Sequence, residues 1–106
     1  MSQNLYVVRS SAVAARKLGA EMLIMSGRDS TLFTLDEVAT IIWESASGLV
    51  TLEEIIALKI CPEYDVEHAV AVRDAETMAE ELAKHGIMHI SRGPIFDSEA
   101  PIGATR

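Results

Sequence analysis

Residues 21–44 read EMLIMSGRDSTLFTLDEVATIIWE, and the change of rhythm inside this stretch decides the fold. Glu21 to Ser26 is apolar, Gly27-Arg28-Asp29 is a turn, and Ser30 to Leu35 alternates, with Thr31, Phe33 and Leu35 on one side against Leu32 and Thr34 on the other. Two such strands joined by a Gly-containing three-residue loop predict a hairpin. From Asp36 the apolar period lengthens from two to about 3.6, placing Val38, Ile41, Ile42 and Ser45 or Ala46 on one face and Glu37, Thr40 and Glu44 on the other. A first helix follows. Asp36 is its expected cap, because a carboxylate there accepts from the free amides of the first turn, and Gly48 is its expected stop. Trp43 falls on the back or edge of this helix and reads as a partly buried core residue.

Working outward, Thr51-Leu52-Glu53-Glu54 is a capping box opening a second, short helix whose apolar face is Leu52, Ile55, Ile56 and either the aliphatic stem of Lys59 or Ile60. It ends near Cys61-Pro62, since the residue before proline is driven out of the α region. Asp65 or Glu67 opens a third, longer helix to about His85, with Ala71, Ala75, Met78, Ala79 and Leu82 at three- and four-residue steps, and Gly86 ends it. Upstream, Leu5 to Arg9 and Val13 to Leu18 read as short strands. Downstream, Ile87 to Ile90 reads as a strand able to lie back on the sheet. The expectation is an α+β domain, winged-helix-like, with an N-terminal three-stranded antiparallel sheet followed by three helices. Residues 1–90 form the domain, and the Gly- and Pro-punctuated residues 91–106 are expected to be a disordered tail.

Composition narrows the function. The chain has 106 residues, enough for one core but not two. Its 16 acidic and 9 basic side chains give a net charge of -7, which opposes nucleic-acid binding. The third helix sharpens that point, because Glu67, Asp74, Glu76, Glu80 and Glu81 face only Arg73 and Lys84 as fixed cations. DNA would repel such a recognition helix. No apolar run approaches the ~18 residues of a membrane span, and a single cysteine forms no internal bridge, so the expected setting is cytoplasmic, without a membrane partner. The opening lacks acids before Glu21 while holding Arg9, Arg16 and Lys17, a pattern seen in transit peptides; its strand-like rhythm and missing apolar h-region favour strand.

Chemistry-bearing residues are few. Cys61 precedes His68 by seven residues, but a nucleophile and base must touch, and Cys61 reads as a structural thiol. His85 and His89 have the four-residue spacing of a helical metal pair, yet Gly86 breaks the helix between them and no further ligand completes a site. The six glycines form no phosphate loop. No catalytic residue, metal or cofactor is expected. What remains is a sheet edge beside a helix: Ser30 to Thr34 is light in charge and lacks proline, the two common devices that protect an edge from strand addition.

At this point the residues match a known pattern. Leu35-Asp36-Glu37 leading into Ile41-Ile42-Trp43-Glu44, then Ser47-Gly48, Thr51-Leu52-Glu53-Glu54-Ile55, Tyr64-Asp65-Val66, Asp74 with Met78 and Leu82, and Gly86-Ile87-Met88 make the stretch from Val13 to Met88 resemble the PqqD family. That family comprises peptide-binding chaperones of pyrroloquinoline quinone biosynthesis and related recognition elements for ribosomally made, modified precursor peptides. Here Asp36 stands where the family has Asn, and Val38 where it has a small hydroxyl residue. The resemblance implies a non-enzymatic domain that captures the leader of a precursor peptide as an added strand and presents it to a modifying enzyme, often a radical S-adenosylmethionine protein. It further implies a peptide-binding site formed by Ser30, Thr31, Leu32, Phe33 and Thr34 with Val70, Arg73, Asp74 and Thr77, in a monomer or homodimer. The alternative is a winged-helix DNA-binding or regulator-interaction domain, which the charge disfavours.

Overall fold

The computed structural model describes residues 5–95. Strands β1 (Tyr6–Arg9), β2 (Val13–Leu18), β3 (Glu21–Ser26) and β4 (Leu32–Leu35) precede helix α1 (Glu37–Ser45); β5 (Ser47–Thr51), helix α2 (Leu52–Ile55), helix α3 (His68–Lys84) and β6 (Met88–Ser91) follow. The described residues form a mixed α+β domain with three helices and two three-stranded antiparallel sheets, ordered β2-β3-β4 and β5-β1-β6.

The hairpin expected at residues 21–35 is β3–β4, paired Met22↔Leu35, Leu23↔Thr34, Ile24↔Phe33 and Met25↔Leu32. Its second strand starts at Leu32, two residues later than the alternation implies. Ser30 adopts a left-handed backbone (φ 61) to reverse the chain, with its N–H bonded to the Ser26 carbonyl, so Ser30 and Thr31 belong to the turn. The larger correction concerns the other sheet. Residues 47–51 form a strand, β5, that the sequence reading takes as the end of one helix and the cap of the next. The final strand lies on β1 (Tyr6↔Ser91 to Arg9↔Met88) and not on the β2–β4 sheet.

Local chemistry explains the helices. Asp36 Oδ1 accepts from Ala39 N at 2.9 Å, the expected α1 cap. Thr51 and Glu54 complete the capping box of α2 in both directions, at 2.9 and 3.1 Å. α2 then runs into a π-helical turn, Ile56–Ile60, closed by Cys61 N on Ile56 O, which brings both Ile56 and Ile60 into the core. On α1, Thr40 is buried rather than on the outer face; its hydroxyl is satisfied by donating to the Leu35 carbonyl at 3.2 Å. Trp43 is buried as well, with the Arg9 guanidinium 5.7 Å from its ring centre.

The core draws on both sheets and all three helices: Val7 and Met88 from one sheet, Ile24 from the other, then Ile42, Leu52, Ile56, Ile60, Ala79 and Leu82. Gly86, past the end of α3, has φ +73, and a Cβ there would press on the Arg28 guanidinium, which donates to the Lys84 carbonyl. Gly48 (φ +90) is approached by the Ile95 carbonyl, while Ile95 N donates to Gly48 O at 2.7 Å. The described chain continues past residue 90, with Ser91 in β6 and Ile95 bonded to β5; the rest of the tail, residues 96–106, lies outside the described residues.

Candidate functional site

A groove of about 650 Å³ opens between β4, α1 and α3. Its floor is Leu35, Ile42, Ile56, Ile60, Ala75 and Leu82, all buried, and one wall is Phe33. Along α3 the lining runs from Val70 through Asp74, Thr77 and Met78 to Leu82. Val66 and Val70, each 44% exposed, stand at its mouth.

Strand β4 forms the open side. Among the described residues it is paired only with β3, so one edge is free. Ser26 N donates to Thr31 O at 2.9 Å, and antiparallel alternation from that bond turns the main-chain groups of Phe33 and Leu35 toward β3. Those of Leu32 and Thr34 therefore face outward, unpaired. Of the other edge strands, β2 carries Arg16 and Lys17, β5 is already met by Ile95 at Gly48, and β6 contributes no residue to the groove. Leu32 to Leu35 has neither charge nor proline.

The expected site residues distribute as follows. Phe33, Thr34, Val70, Asp74 and Thr77 line the groove together; Leu32 lies on the free edge with its side chain 58% exposed on the outer face of the sheet. Ser30 and Thr31 stand in the turn before β4, and Arg73 is exposed outside the lining. Besides the floor, the lining includes residues that sequence reasoning did not nominate, among them Asp36, Val66, Met78 and Glu81. Asp36, Met78 and Glu81 carried a signal, helical spacing from or a cap beside nominated positions, but which helix face meets β4 is a tertiary fact.

Two polar clusters brace the groove. At the β3–β4 turn, the His85 ring lies 2.8 Å from Asp29 Oδ2 and 5.1 Å from the Phe33 ring, and Ser26 Oγ donates to the His85 carbonyl. The His85 hydrogen bond first, then the Thr31 backbone N–H, hold the Asp29 carboxyl well below the usual carboxylate range. A depressed carboxyl pKa stabilises the fold above its unfolded value, and that contribution is lost as falling pH protonates the carboxylate. Asp29→Asn is accordingly expected to leave acid unfolding less steep and to speed amide exchange at Ser30 and Thr31 at neutral pH; unchanged exchange there would show that the turn is held by other contacts. At the far end, the Tyr64 phenol is pushed up to about 12, chiefly by its hydrogen bond to Glu37 and then by burial, which ties the α2–α3 connection to the start of α1.

The thiol and His68 lie elsewhere. Cys61 Sγ makes a long contact of 3.9 Å with His68 Nδ1, and His68 Nε2 lies 3.6 Å from Glu53 Oε2. Neither Cys61 nor His68 lines the groove. Among the described residues no three metal-ligating side chains converge, and no helix is long and apolar enough to cross a membrane.

Fold and groove together define an α+β domain with an uncharged open strand edge beside an apolar trough. The chain belongs to the PqqD family, Coenzyme PQQ synthesis protein D, whose profile matches residues 21–88. In structure it is similar to TbiB1, solved in complex with the TbiA(beta) leader peptide, with a TM-score of 0.68 and 28% identity over 77% of this chain and 94% of that one. No curated protein matches the chain.

Proposed function

We propose that the protein is a non-enzymatic recognition domain that captures the leader segment of a ribosomally made precursor peptide as a strand added to β4, and presents it to a modifying enzyme. The observation that carries this reading is the coincidence of an unprotected edge, Leu32–Leu35, with an apolar groove that continues its inner face. Main-chain bonds at an edge supply affinity for any extended chain, while a groove that takes alternate side chains supplies selectivity. The leader peptide in the TbiB1 complex supports the same use of this fold. In this reading the domain is winged-helix-like, with β2–β4 as the N-terminal sheet, and it works in the cytoplasm beside an enzyme partner of the pyrroloquinoline quinone or another modified-peptide pathway.

The test is titration of the isotope-labelled protein with leader segments encoded beside its gene. Amide shifts are expected at Leu32 to Leu35 and along Val70 to Glu81 of α3. Saturating peptide that leaves both stretches unmoved would remove the proposal.

A further inference from the structure

The groove carries charge of one sign only. Its described lining holds three carboxylates, Asp36, Asp74 and Glu81, and no lysine, arginine or histidine. Two of the three are already engaged. Asp36 caps α1, and Glu81 lies 3.9 Å from Lys84 Nζ and 3.6 Å from His85 Nε2. Asp74 is exposed and makes no hydrogen bond or ion pair among the described residues, although it sits on the wall in the middle of the groove's α3 side.

Its neighbours set a register. Val70, Asp74 and Met78 recur every four residues, which is ~6 Å along a helix axis. An extended chain repeats its same-face side chains at ~6.6 Å. A strand lying along α3 therefore presents successive inward side chains to an apolar, an acidic and an apolar position in turn. We infer that the captured segment carries a lysine or arginine between two apolar residues at alternate positions, and that Asp74 is the residue that selects the cation. The inference rests on the strand-capture reading and names the chemistry of its occupant. Partial desolvation beside the apolar floor strengthens such a pair relative to one in open water, and a mispaired acid at the same place would be repelled and left without a partner.

A display library of random dodecapeptides, selected on the full chain and on its Asp74→Asn, Asp74→Lys and Thr34→Pro variants, tests it. Asp74 is exposed, so its variants keep the fold. Peptides enriched by the wild-type protein are expected to show the apolar–basic–apolar pattern at alternate positions. Asp74→Asn should weaken a representative basic peptide about fivefold, with less loss at high salt, and Asp74→Lys should shift enrichment to Glu or Asp at the central position. A wild-type selection without a basic preference, or one that Asp74→Lys does not alter, overturns the inference while strand capture stands, provided Thr34→Pro still weakens binding. Enrichment indifferent to Thr34→Pro, or no enrichment at all, overturns strand capture and the inference with it.

Discussion

Ile24→Ala is expected to lower the stability of the fold by roughly 2–5 kcal/mol, the usual cost of emptying a fully buried branched aliphatic site. Ile24 is the central residue of the central strand of its sheet, paired with Ala15 on one side and Phe33 on the other, and it is 0% exposed. Set against the ~5–15 kcal/mol that holds a typical domain together, that loss is a large fraction. The functional consequence follows from the pairing. Phe33 is the groove wall, and with Ile24 truncated, β4 loses the packing that fixes its angle to α3. Urea unfolding monitored by Trp43 fluorescence measures the effect as a midpoint shift at constant slope. A shift corresponding to less than about 1 kcal/mol would mean that the core collapses around the vacancy.

The elements that sequence patterning reveals are those whose cause is local. The β3–β4 hairpin is announced by alternation and a glycine turn, α1 by the change of period at Asp36, and α2 by the Thr51–Glu54 box; each depends on residues within a few positions of one another. β5 shows the opposite case. Ser47 to Thr51 is five residues with a glycine in second place, wedged between two helices, and it becomes a strand because β1, some forty residues upstream, supplies its partner. Sequence spacing contains no record of that pairing. Thr40 is a subtler instance. A hydroxyl facing the core costs free energy unless it is bonded, and the Leu35 carbonyl that satisfies it lies in the preceding strand, so helical periodicity alone assigns it to solvent.

The same division applies to the groove. The β4 edge and the α3 stripe through Val70, Asp74 and Thr77 are visible as an uncharged strand and one helix face. That Arg73 stands outside the lining while Glu81, two turns along from Asp74, lies within it depends on how α3 is rotated against β4. That rotation is set by Val72, Ala75, Ala79 and Leu82, which turn inward. Val72 is the telling residue: its burial tilts the apolar stripe toward Arg73's side of the helix and leaves the Asp74–Met78–Glu81 side for the open trough.

Thr34→Pro is expected to abolish most peptide capture while leaving the domain folded. Thr34 is exposed, and the alternation set by the Ser26–Thr31 bond points its N–H away from β3 into the free edge. Proline there removes no bond of the existing sheet, which is why proline is tolerated on edges whose donors face solvent. For an incoming strand the same change deletes a donor, leaves a peptide carbonyl desolvated without a partner, and places the pyrrolidine ring where the peptide backbone must approach. An unmet carbonyl and the lost bond are together worth roughly 1.5–4 kcal/mol, a tenfold or greater loss of affinity. Thr34→Val separates main chain from side chain: it keeps the N–H and the β-branched shape, and it should retain binding within about twofold. Affinity measured by fluorescence anisotropy, alongside the thermal midpoint of each variant, reads both effects. Loss of binding in Thr34→Val equal to that in Thr34→Pro would point to a side-chain contact in place of strand addition, and full binding by a folded Thr34→Pro would place the peptide somewhere other than this edge.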